Sequence, residues 1–79
     1  MHPLNKERYE RLSKLAPLEA VRAWINGEFG IGDEPAMISA IRKDTRISIS
    51  DEAIEDILMD AMEDCLDAAA CLERLAASR

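Results

Sequence analysis

The sequence predicts a small all-α protein, a bundle of three short helices packed on one long C-terminal helix. Apolar residues recur at intervals of three and four along most of the chain, which is the spacing of helices with one buried face. Proline, glycine and one short stretch of alternating polar and apolar residues divide this pattern into four segments. The chain of 79 residues is expected to form one domain, 1–79, with a small core.

The first two segments predict helices over about 6–15 and 17–26. Asn5 is a suitable N-cap for the first helix, and Ala16-Pro17 ends it because a residue that precedes proline disfavours the helical conformation. Proline is tolerated in a first turn, so the second helix is expected to begin at that proline. Gly27 follows where a left-handed C-cap is expected.

The remaining segments predict a third helix over about 34–43 and a long fourth helix over 51–77. Asp33 is the expected N-cap of the third helix. Residues 44–49 alternate in polarity, but the sequence offers no partner strand, so this stretch is expected to be an extended connector. Ser50 is the expected N-cap of the long helix.

The predicted long helix carries most of the negative charge. Residues 1–46 contain eight bases and seven acids, whereas residues 47–79 contain two bases and nine acids. No lysine or arginine lies between Asp51 and Glu73, so no ion pair can form along the helix itself. A projection at 100° per residue places six acids opposite the apolar stripe. These are the candidate partner-binding residues: Glu52, Asp56, Asp60, Glu63, Asp64 and Asp67.

This acidic face has an energetic cost, because like charges three or four residues apart destabilise a helix by about 0.2–0.5 kcal/mol per pair. The face is either a solvated surface that maintains solubility or a binding surface for a cationic partner. From Glu52 to Asp67 it would extend about 22 Å, enough to lie in a channel of lysine and arginine side chains that receives nucleic acid. The expected partner is therefore a basic protein surface. Direct binding to nucleic acid is not expected, because phosphates would be repelled.

The sequence contains no catalytic or metal-binding pattern, and neither an enzyme nor a cofactor is expected. The only histidine is His2, and the chain has no C-x-x-C, no H-E-x-x-H and no EF-hand loop. Cys65 and Cys71 lie near the apolar stripe and are expected to be small core residues. No uncharged run is long enough to cross a bilayer, and the first residues lack the apolar segment of a signal peptide, so a cytoplasmic location is expected.

Two other parts of the sequence have features of a binding surface. The helices predicted over 17–26 and 34–43 have the spacing of a helix-turn-helix unit, but the net charge of −6 disfavours DNA binding. The first helix has a basic face, which is interspersed with acids as in most solvated surfaces. Its bases are Lys6, Arg8, Arg11 and Lys14.

In size, acidity and helical character the chain resembles the phage-encoded anti-CRISPR proteins. The resemblance covers the whole chain, including the segment 15–27, LAPLEAVRAWING, that precedes the acidic helix. Several of these proteins present acidic surfaces to the DNA-binding or guide-binding face of an RNA-guided complex. The resemblance implies an inhibitor, acting in the bacterial host cell, that prevents target DNA from binding a type I Cas surveillance complex. The family has no shared motif, so the candidate residues remain those of the helical projection.

The alternative function is a dimeric helical module, regulatory or structural, such as a transcriptional antiactivator. It rests on an apolar stripe whose spacing, close to 3.5 residues, is that of a coiled-coil contact between two copies. The acids would then only limit non-specific association. The stripe consists of Ile54, Leu58, Ala61, Cys65, Ala68, Leu72 and Leu75.

Overall fold

The computed structural model describes residues 3–30, 32–64 and 67–78, with side chains from residue 6 onward. In these residues the chain forms five α-helices and no strands, so the all-α prediction is confirmed. The helices are α1 (Pro3–Ser13), α2 (Pro17–Ile25), α3 (Glu34–Ile41), α4 (Asp51–Glu63) and α5 (Ala68–Ala77). The bounds predicted for the first three helices differ from these by no more than three residues.

The prediction of one long helix over 51–77 is wrong, because two helices form there: α4 ends at Glu63 and α5 begins at Ala68. The last turn of α4 contains no base that would balance the negative end of the helix dipole. Asp67 has extended backbone, and its carboxylate accepts a hydrogen bond from the N–H of Ala69 at 3.1 Å. Asp67 is therefore the N-cap of a new helix, α5, although the apolar periodicity predicts that the preceding helix continues through this position.

The fold is organised around α2 instead of around a C-terminal helix. α2 contacts α3, α4 and α5, whereas α1 packs against α3, and α5 packs against α4. Ala20 and Val21 of α2 are completely buried. The indole N–H of Trp24 donates a hydrogen bond to the carbonyl of Leu58 at 3.1 Å, which ties α2 to α4.

The core is formed by all helices from α2 to α5. Its largest fully buried side chains are Met37, Ile41, Ile54, Leu58, Leu75, Val21 and Cys71. The prediction that Cys71 is a core residue is confirmed, and burial raises the pKa of its thiol above the ordinary value. Cys65 lies outside the described residues.

Local cap chemistry explains several helix ends. Gly27 has φ 76°, so the left-handed C-cap predicted after α2 is confirmed. The N–H groups of Gly27 and Glu28 donate to the carbonyls of Trp24 and Ala23, which is a Schellman arrangement. The hydroxyl of Ser50 accepts a hydrogen bond from a backbone N–H in the first turn of α4 at 3.2 Å, so this cap is also confirmed.

Of the other two predicted N-caps, Asn5 is wrong and Asp33 is correct in position only. Asn5 lies inside α1, because the helix begins at Pro3 and proline is tolerated in a first turn. Asp33 occupies the N-cap position of α3, but its side chain makes no capping hydrogen bond. Its carboxylate instead accepts hydrogen bonds from Arg8 at 2.9 and 2.7 Å and from the N–H of Gly30 at 2.7 Å. These bonds join α1 to the start of α3.

The Arg8–Asp33 pair makes stability depend on pH. Its hydrogen bonds hold the pKa of Asp33 below the ordinary value of 3.8, so the pair stabilises the fold above that pH and the stabilisation is lost as pH falls through the folded pKa. We expect Asp33→Asn to lower the unfolding free energy at pH 6 and to have a smaller effect at pH 2. Urea titrations of both proteins at several pH values measure this difference. A difference that stays constant from pH 6 to pH 2 would contradict the prediction.

Candidate partner-binding surface

Four of the six candidate acids lie on one face of α4, here called the acidic ridge: Glu52, Asp56, Asp60 and Glu63. Intervals of four, four and three residues bring neighbouring carboxylates together on a helix, and all four side chains are exposed. At 1.5 Å per residue the ridge extends about 17 Å. Asp64 is the C-cap of α4 and Asp67 is the N-cap of α5, so the continuous ridge of about 22 Å expected from a single helix does not form.

Arginines from outside α4 lie close to two acids of its surface. The Nε of Arg42 donates to the carboxylate of Asp51 at 3.1 Å, and an Nη nitrogen of Arg74 lies 3.8 Å from the carboxylate of Asp60. No sequence pattern predicts these pairs, because they depend on how separate helices pack.

The rest of the ridge has no such compensation. Within the described residues, Glu52, Asp56 and Glu63 form no ion pair, and neither does Asp64 at the end of α4. Arg46 is directed elsewhere: it binds Asp44 at 2.8 Å and Glu73 at 3.1 Å, and these carboxylates raise its pKa. The uncompensated charge is therefore concentrated on the exposed side of α4.

Two exposed apolar side chains lie beside the ridge, and the sequence analysis missed them. Met59 is 50% exposed and Met62 is 44% exposed, and both belong to α4. Residues three apart are neighbours on a helix, so the two form a continuous apolar surface, here called the methionine pair. Their signal in the sequence is that both fall outside the buried stripe of the same helical projection.

A small cleft begins at the methionine pair. Its walls combine apolar side chains from three helices with two carboxylates: Trp24, Glu34, Met37, Glu55 and Met59. The cleft extends from the exposed surface of α4 to Met37, which is completely buried, so its floor belongs to the core.

One base of the basic face predicted for the first helix forms an ion pair within the fold. Arg8 is bound to Asp33, whereas Arg11 and Arg22 lie on the rim of a groove between α1 and α2. Glu19 and Glu28 line the same groove together with apolar residues, so its charge is nearly balanced. The groove is therefore a weaker candidate for a charged partner than the acidic ridge.

The described residues contain no group of three or more histidine, cysteine or acidic side chains placed to hold a metal ion. None of the helices in the described ranges has the length and apolar character needed to span a membrane. Every buried side-chain nitrogen or oxygen in the described part of the chain has a hydrogen-bond partner. His2 lies outside the described residues.

Comparison with protein-family models, with curated proteins and with solved structures found no significant match. The fold and surface define the class: a small all-α protein with a partly uncompensated acidic ridge. Functional inference therefore rests on the chemistry of this surface.

Proposed function

We propose that the protein is a non-catalytic inhibitor that binds a basic nucleic-acid-binding surface of a bacterial protein complex through the acidic ridge. The uncompensated charge of Glu52, Asp56 and Glu63 carries this proposal. Nearby arginines pair with Asp51 and Asp60, whereas these three acids repel one another and form no ion pair among the described residues. A cationic surface relieves that repulsion and is attracted over a distance of about 10 Å at moderate salt.

The resemblance to anti-CRISPR proteins supports a particular target, the DNA-receiving surface of a type I Cas surveillance complex in the cytoplasm of the host cell. A ridge of about 17 Å corresponds to about five nucleotides of one strand at 3.4 Å each. Carboxylates that occupy the lysines and arginines of such a surface exclude DNA, because both need the same cations.

The test measures DNA binding by a purified type I surveillance complex in the presence of this protein. We expect the wild-type protein to reduce DNA binding, with an inhibition constant that weakens as salt is raised. The ridge-neutral variant removes the three uncompensated charges and should inhibit about 10–100-fold more weakly at low salt. It carries Glu52→Gln, Asp56→Asn and Glu63→Gln. It retains Asp60, which pairs with Arg74, and Asp67, which caps α5.

A matched control removes the same number of exposed acids from α1 and α2, through Glu7→Gln, Glu10→Gln and Glu19→Gln. This variant has the same net charge as the ridge-neutral variant and should inhibit like the wild-type protein. Equal weakening by both variants would show that only net charge matters, and no effect of either would exclude the ridge from the interface.

The structure does not favour the alternative of a coiled-coil dimer. The seam proposed for that contact faces the interior, because Ile54, Leu58, Ala61, Ala68 and Leu75 are buried within one copy. The helix that would carry the seam also ends at Glu63. A dimer would have to use another surface.

A further inference from the structure

We propose that the partner presents a basic amphipathic helix, whose apolar side packs on the methionine pair while its lysines and arginines face the acidic ridge. The inference rests on the proposed function and specifies the chemistry of the partner. It begins from Met59 and Met62, which are 50% and 44% exposed on a helix whose other large apolar side chains are buried or partly buried against the core. Exposed apolar patches surrounded by polar residues are typical of interaction sites, and methionine adapts its shape to a partner.

The surroundings of the methionine pair determine which partner fits. On the α4 surface, Met59 is adjacent to Glu55 and Asp56 on one turn and to Glu63 on the next. The apolar surface is thus bordered by carboxylates. A neutral apolar partner would remove these carboxylates from water without pairing them, at a considerable free-energy cost. A partner with an apolar stripe between two rows of bases can cover the methionine pair and also pair with the surrounding carboxylates.

The cleft beside Met59 supplies an anchor point. It has a volume of about 100 Å³ and is lined by Trp24 and Met37 in addition to Met59. This is about the space of three water molecules, which one aliphatic side chain of a partner helix can replace. Binding energy at interfaces is concentrated in such pockets, where an anchor side chain is fully removed from water.

A second copy of the chain is a poorer occupant. A two-fold contact places the same patch of each copy against the other, so the two acidic ridges would be brought together. Close juxtaposition of like charges opposes association. The charge around the methionine pair therefore favours a foreign cationic helix over self-association.

The test uses two synthetic peptides of leucine and lysine with the same composition. In one peptide the leucines lie on a single helical face, and in the other the order is scrambled. Trp24 is the only tryptophan of the protein and lines the cleft, so its fluorescence reports a side chain that enters the cleft, and fluorescence anisotropy of labelled peptides measures both affinities. We expect the amphipathic peptide to bind about tenfold more tightly than the scrambled one, because only its leucines reach the methionine pair together.

The methionine variant, Met59→Gln with Met62→Gln, keeps similar side-chain length and helix propensity. It should bind the amphipathic peptide about tenfold more weakly than the wild-type protein does and should leave binding of the scrambled peptide unchanged. Tyr9→Gln is the control, because Tyr9 is 37% exposed but lies on α1. It should change neither affinity.

The outcomes separate this inference from the proposed function. If the ridge-neutral variant weakens binding of both peptides but the methionine variant weakens neither, the apolar contact is refuted and the acidic interface stands. If the ridge-neutral variant has no effect on either peptide, the acidic interface fails as well. A wild-type dimer that the methionine variant converts to a monomer in sedimentation would also overturn the inference, because the methionine pair would then be a contact between copies.

Discussion

Replacing Leu58 with alanine is expected to lower the free energy of unfolding by about 3 kcal/mol. Leu58 is completely buried on α4, so truncation leaves a cavity in addition to the lost transfer free energy. A protein of this length has a total stability of about 4–12 kcal/mol, and the melting temperature should therefore fall by about 12–24 °C. Urea unfolding followed by circular dichroism measures the change.

Met59→Ala is the matched control for Leu58→Ala, because Met59 is the next residue of α4 and is half exposed. It should lower the unfolding free energy by about 1 kcal/mol or less, well below the loss in Leu58→Ala. The hydrogen bond from Trp24 to the backbone carbonyl of residue 58 does not depend on the leucine side chain. Similar losses in both variants would indicate that α4 does not pack as the structure shows.

Replacing Asp33 with alanine is expected to cost about 2 kcal/mol, because its carboxylate accepts three hydrogen bonds and only 11% of the side chain is accessible. The loss should be most evident in α1, whose packing against α3 is supported by the bond from Arg8. We therefore expect the substitution to accelerate amide hydrogen exchange, relative to the wild-type protein, more in α1 than in α4. Glu34→Gln, at the adjacent exposed residue, should have little effect on either measurement.

A double-mutant cycle with Arg8→Met identifies the source of this loss. If the two residues act as a pair, the combined variant should lose less stability than the sum of the single variants. Additive losses would show that Asp33 acts mainly through the N–H of Gly30, and the interpretation of the pair as a link between α1 and α3 would then be wrong.

Local pattern was sufficient to predict the first three helices and the start of α4, because spacing of three and four reports directly which face is buried. It failed to predict that α4 and α5 are separate helices for the same reason. The buried positions Ile54, Leu58 and Ala61 continue at helical intervals into Ala68 and Leu75, so periodicity passes through the break without interruption. The available signal was Asp67 before a run of alanines, since aspartate is a strong N-cap and alanine the best helix former.

The candidate surface was predictable only in part. All six nominated acids are exposed, and their role in binding stays a prediction. The pairs Arg42–Asp51 and Arg74–Asp60 were not predictable, because they join segments that only tertiary packing brings together. Asp33 was assigned a local capping role for a similar reason, since its partner Arg8 lies 25 positions away. Sequence pattern identifies exposed charge, but the fold decides which charges remain uncompensated.

The end of α4 at Glu63 makes the electric field along the helix unequal. The helix dipole places about half a positive charge near Asp51 and about half a negative charge near Glu63 and Asp64. The potential therefore becomes more negative from the first turn toward the last, and a cationic body is drawn preferentially to the last turn. A partner helix of the proposed kind would lower its energy by placing its own positive N-terminus there, so we expect it to lie antiparallel to α4.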